Sequence, residues 1–232
     1  MLMQRRRRMI LLAVILVSTL AWIVVKEWPS LVPVLSPPQQ TAPSSGEVAR
    51  DALAVLPTKG RAPKTGYKRS QFGDGWAKSS GCDTRNIILR RDLANAALAD
   101  DGCKVQSGSF SDPYTGRQIA FKRGARSSSA VQIDHVVALS NAWQTGAQQL
   151  SVEQRVSLAN DPLELLAVDG PANQQKGDGD AATWLPSNKP FRCQYIARQI
   201  AVKKKYSLWV TPPERAAMER ILSNCPDQRL PA

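Results

Sequence analysis

The feature that most constrains this chain is the order of segments between residues 131 and 184. Ile133-Asp134-His135-Val136-Val137 is a β-branched, apolar stretch that sets a carboxylate beside the only histidine in the protein. Side chains alternate along a strand, so a strand here turns Asp134 to one face and His135 to the other. Asn160 to Val168 ends in an apolar run that suits a second strand. Asp169-Gly170-Pro171 is turn chemistry, and Ala172-Asn173-Gln174-Gln175-Lys176 follows as the first turn of a short helix. Between the strands, Ala138 to Ala159 is expected to hold two helices, one closing near Gly146 and one capped by Ser151.

This order resembles the ββα-metal fold of the HNH endonucleases. The run from Asp134-His135 through Glu164-Leu165 to Asn173-Gln174-Gln175-Lys176-Gly177-Asp178 is similar to the branch related to the C-terminal nuclease domain of GmrSD-type restriction enzymes, which includes many secreted or membrane-anchored bacterial proteins. Tyr67, Arg69, Phe72, Trp76, Cys82-Asp83-Thr84-Arg85, Ile88-Leu89 and Arg91-Asp92-Leu93 resemble that branch's upstream segment. The expected fold class is α+β: an HNH-like core at 131–186, with inserted and flanking helices, inside a domain spanning 47–232.

The residues fit hydrolysis of a phosphodiester. Water is a poor nucleophile and the transition state gathers negative charge, so a base and a divalent cation answer the two difficulties. His135, with an ordinary pKa of about 6.5, is largely neutral at pH 7 and is the candidate general base. Asp134 and Asn173 are the candidate ligands for Mg2+ or another divalent cation, because hard oxygens and little charge suit an ion that keeps several waters. Lys176, one turn beyond Asn173, is a candidate for phosphate contact and catalysis. Arg69 and Arg85 are the other candidates for nucleic-acid contact, since a guanidinium fork matches phosphate oxygens; the structural alternative for Arg85 is an ion pair within the domain. The resemblance implies one metal ion and products with 5′-phosphate and 3′-hydroxyl ends.

One residue departs from the pattern. HNH enzymes carry an asparagine just before the leucine of the second strand, where its amide ties down the loop bearing the base; here that place holds Glu164. It is expected either to hold the loop differently or to hydrogen-bond His135 and raise its basicity.

Charge and cysteines set the partner and the compartment. Net charge is +12, of which Arg5 to Arg8, Lys26 and Glu27 contribute +4, so the remaining +8 lies beyond the N-terminal segment. Such a surface favours polyanions: nucleic acid, with DNA the leading substrate, or a cell-wall polymer or anionic lipid. No organic cofactor is expected. Cys82, Cys103, Cys193 and Cys225 form no Cys-x-x-Cys pair, which argues for disulfides outside the cytoplasm over zinc. The pairing preferred here, Cys82 with Cys103 and Cys193 with Cys225, staples sequence-local segments.

Arg5-Arg6-Arg7-Arg8 precedes an uncharged, mostly apolar run from Met9 to Val25. Residues 1–28 read as a cytoplasmic basic tail and a signal anchor, with Trp22 and Trp28 near the outer interface and the rest of the chain outside the cell. Cleavage of that segment would leave a secreted protein instead. Residues 29–46 read as a proline- and serine-rich linker. Two functions follow as expectations: a single-pass, extracytoplasmic, metal-dependent endonuclease, or a non-catalytic surface module that holds DNA or an anionic wall polymer.

Overall fold

The structure, a computed structural model, describes residues 46–125 and 127–231. The tail and anchor expected at 1–28, and the linker up to Ser45, lie outside the described residues. Among those described, no helix is long and apolar enough to cross a membrane.

The architecture is mixed α+β. Helix α1 (Ala49–Val55) leads to a short strand pair, β1 (Lys78–Ser79) and β2 (Cys82–Asp83), and then to α2 (Thr84–Asp92). Strands β3 (Ala94–Leu98), β4 (Val105–Ser111) and β5 (Gln118–Lys122) form an antiparallel sheet in that order. Next come β6 (Val131–His135), α3 (Leu139–Gln144), α4 (Val152–Ala159), β7 (Leu165–Asp169) and α5 (Gly170–Lys176). The C-terminal part adds α6 (Arg192–Lys205) and α7 (Pro212–Leu222).

Local chemistry fixes the boundaries. Asp83 caps α2 by accepting the Asn86 N–H at 2.8 Å, and Ser151 and Thr211 form capping boxes with Gln154 and Glu214 at the starts of α4 and α7. Asp169 caps α5 through the Ala172 N–H at 2.9 Å, with Pro171 in the first turn. Gly170 is needed where it stands, because a Cβ there would lie 2.0 Å from the Ser129 carbonyl oxygen.

Residues 83–98 contain neither glycine nor proline and would suit one continuous helix, but the chain leaves the helix at Asp92 and enters β3. Asn95 takes a positive φ of 53°, which a continuing helix forbids. The Asp92 carboxylate accepts the Ala167 N–H at 2.8 Å, tying the helix end to β7. Gly108 of β4 packs so closely on Leu93 and Ala94 that a Cβ would meet Leu93 at 3.0 Å. Sheet pairing thus outcompetes helix propagation.

β6 and β7 are antiparallel, with Val131 opposite Asp169, Ile133 opposite Ala167 and His135 opposite Leu165. This pair sits between two cores. Val131, Ile133, Leu165 and Ala167 join Ile88, Leu89, Leu93, Val105, Phe110 and Phe121 under the three-stranded sheet. Val168 and the Val136-Val137 turn pack instead into a helical core with Leu53, Leu158, Tyr195, Ile196, Ile200 and Leu222. Because both faces are covered, a one-residue slip would exchange them, so the register that delivers Asp134 and His135 is strongly specified.

Both disulfides have the expected pairing, Cys82–Cys103 and Cys193–Cys225. The basic end of α6 is less free than its composition implies. Lys203 is buried 3.1 Å from Glu214, Lys204 pairs with Glu47, and Lys205 lies 2.6 Å from Asp161.

Candidate active site

His135 ends β6, buried with only 6% of its surface exposed. Trp76 stacks against its imidazole, centroids 5.8 Å apart and planes 7° from parallel. Nε2 lies 3.0 Å from the Ala159 carbonyl oxygen, which accepts only, so the bonded nitrogen carries the hydrogen. Burial, and then the positive charge of Arg69, lower the His135 pKa to about 3 against the opposing Ala159 bond. The ring is therefore neutral at pH 7. With Nε2 committed as donor, Nδ1 is the basic nitrogen.

Asp134 points to the opposite face, as alternation requires. Tyr114 donates its hydroxyl to Oδ2, and the Lys176 ammonium stands 3.0 Å from Oδ1 and 2.9 Å from Oδ2. The same ammonium donates to the His135 carbonyl oxygen at 2.7 Å. Burial pushes the Asp134 carboxyl up, while Lys176 and the Tyr114 hydroxyl pull it down. A fully buried ammonium in contact with both oxygens makes this an internal ion pair. Lys176 is thereby removed from the role of phosphate contact: its side chain is 0% exposed and its donors point inward. It fixes Asp134 and the backbone of His135 instead.

Glu164 does not take the alternative of bonding the imidazole. Its Oε2 accepts the Val137 N–H at 3.2 Å, and its backbone carbonyl accepts the Val136 N–H at 2.9 Å. The two bonds clamp the turn that follows His135. Burial pushes the Glu164 carboxyl well above the usual range, only partly offset by the Val137 bond and the Lys176 charge.

Asn173 projects from the first turns of α5, where its Nδ2 donates to Gln132 Oε1 at 3.0 Å. Asn173, Gln132, Asp134 and His135 line one mostly polar cavity of about 360 Å³, together with Tyr67, Arg69, Ser140 and Asp178. Among the described residues Arg69 makes no ion pair, so its charge faces this cavity unpaired. Arg85 is turned inward, donating to the carbonyl oxygens of Ser128 at 3.3 Å and Val131 at 3.1 Å. It buttresses the start of β6 through that one terminal nitrogen while the side chain stays partly exposed.

The donor set fits a hard divalent cation held loosely. The Asp134 carboxylate retains lone pairs beyond its two bonds, and the Asn173 carbonyl oxygen is uncommitted among the described residues, beside space for water. No three His, Cys, Asp or Glu side chains cluster as metal ligands among the described residues, which therefore form no closed cage. Proteins that use Mg2+ commonly hold it in an open manner, with one or two protein oxygens, waters and phosphate oxygens of the substrate.

Several residues of the site are not apparent from sequence alone. Tyr114 lies in Asp112-Pro113-Tyr114-Thr115-Gly116, which reads only as a turn, yet it is fully buried with its hydroxyl on Asp134. A tyrosine in a polar turn signals that the hydroxyl has a partner, but not which one. Ala159 acts through its backbone, which side-chain patterns cannot reveal.

The scaffold is that of a small mixed α+β domain with a polar cavity beside its β6–β7 pair. Residues 81–221 match the family model described as GmrSD restriction endonucleases, C-terminal domain, and the chain belongs to that family. It is also 37% identical over 195 residues, 83% of this chain and 91% of the relative, to an uncharacterized secreted protein of Arthroderma benhamiae. No solved structure matches the chain.

Proposed function

We propose that this protein is an extracytoplasmic, divalent-metal-dependent endonuclease with an HNH-like ββα-metal core, acting on nucleic acid and first of all on DNA. The observation that carries the reading is convergence: a neutral imidazole, an ion-paired carboxylate, an amide and a guanidinium border one polar cavity, with Nδ1 and the Arg69 guanidinium unpartnered among the described residues. His135 takes a proton from water through Nδ1, while the Ala159 carbonyl and the Trp76 face keep the ring from turning. Arg69 binds the scissile phosphate. Asp134 and Asn173 would hold a divalent cation such as Mg2+, which would supply positive charge beside the scissile phosphate. Tyr114 and Lys176 keep the Asp134 carboxylate in place for that purpose. The two disulfides and the likeness to a secreted protein support a site outside the cytoplasm, with residues 1–28 as anchor or cleaved signal.

Incubating supercoiled plasmid with the full chain, in Mg2+ and then in excess chelator, tests this. Nicking that chelator stops and Asn173→Ala weakens is the expected result; equal nicking in all conditions overturns the metal assignment. A second reading, a non-catalytic module that binds DNA, is favoured by one observation: both oxygens of Asp134 already have partners. Salt-sensitive DNA retention without strand breaks in any divalent ion would decide for it.

A further inference from the structure

Glu164 sits where the resembled enzymes place an amide, and its surroundings explain how an acid does the same work. The side chain is fully buried. One carboxyl oxygen accepts the Val137 N–H at 3.2 Å; the other has no partner among the described residues. No lysine or arginine is within ion-pairing distance of it among the described residues. The groups that face it are Asp134 of β6, Asp161 before β7, Lys176 of α5, Tyr195 and Arg198 of α6, Tyr206 after α6, and Tyr114. The two carboxylates oppose charge on Glu164. Lys176 is committed to Asp134 and the His135 carbonyl, and Arg198 donates to the Leu163 carbonyl oxygen at 2.9 Å. An ionised carboxylate would be a buried charge with one amide for company. A neutral acid keeps its carbonyl for Val137 and presents an O–H where an amide presents an N–H.

We propose that Glu164 works as a neutral carboxylic acid, a positioning residue that imitates an amide and holds the turn behind His135. The positioning role rests on the nuclease reading, whereas the protonation stands without it. The sign of the pH effect follows from a folded-state pKa above the unfolded value of about 4.5. Stability from this group is complete below that value and erodes as pH rises toward the folded one.

The full chain carrying 13C at glutamate side-chain carboxyls tests the proposal, with the Glu164 resonance identified by its loss in Glu164→Gln. At pH 7 that resonance is expected at the neutral-acid position. Between about pH 4.5 and 7, the folding equilibrium of Glu164→Gln is expected to gain on the native chain about tenfold per pH unit. A resonance already at the carboxylate position at pH 5, a ratio flat from pH 5 to 7, or a Gln variant that does not fold overturns the proposal. In plasmid nicking, Glu164→Ala is expected to lose rate and Glu164→Gln to restore it. Absence of nicking by the native chain would sink the nuclease reading and leave the resonance test intact.

Discussion

Replacing Lys176 by methionine removes the buried ammonium at nearly constant volume and tests the internal pair on which the site is built. The side chain is 0% exposed and its partner Asp134 only 7%. Loss of the ammonium breaks contacts of 3.0 and 2.9 Å to the carboxylate and 2.7 Å to the His135 carbonyl. Asp134 is then a buried charge with Tyr114 as its one remaining side-chain donor among the described residues, which costs about 3–5 kcal/mol. For a domain of this size that corresponds to a fall in Tm of roughly 6–20 °C. Asp134→Asn strands the ammonium and is expected to cost a similar amount. The double variant, Asp134→Asn with Lys176→Met, removes both charges and is expected to be more stable than either single variant. Chemical denaturation of the four proteins at pH 7 supplies the cycle. A double variant as unstable as the sum of the singles, or a Lys176→Met loss below about 1 kcal/mol, would refute the ion pair as the element that fixes Asp134.

Three further outcomes follow from the same structure. His135, with its pKa lowered to about 3 in the fold, leaves stability intact above the unfolded value of about 6.5. That stability drains by roughly 1.4 kcal/mol per pH unit as pH falls toward 3; acid denaturation of His135→Phe should show a shallower slope. Reducing both disulfides opens loops of 21 and 32 residues; chain entropy puts the loss near ~3.3 and ~3.7 kcal/mol, readable as a fall in denaturation midpoint with dithiothreitol. Tyr114→Phe removes one donor from Asp134 and is expected to cost about 1–3 kcal/mol in denaturation. It should also weaken Mg2+ affinity about 10–100-fold by calorimetry.

The strand–turn–helix core was legible because its signals are local. Alternation around Asp134-His135, the turn at Asp169-Gly170-Pro171 and the helix carrying Asn173 all depend on neighbours in sequence. Cystine pairing was legible for the same reason. The C-terminal end of α2 and the fates of Arg85, Lys176 and Glu164 were not, since each is decided by partners far along the chain. Arg85 meets Val131, 46 residues away, and Lys176 meets Asp134, 42 residues away. A charged side chain beside a motif suggests ligand contact; burial against an opposing charge or a carbonyl removes it from solvent, and only the fold reveals which has occurred.

The proposed chemistry turns on the unprotonated nitrogen of one imidazole, that of His135. The most direct measurement is the rate of plasmid nicking in Mg2+ by the native chain and by His135→Ala, with matched folding verified by denaturation. Loss of a positioned base predicts a rate lower by about 10²–10⁴-fold. Equal rates from the two folded proteins would contradict the account.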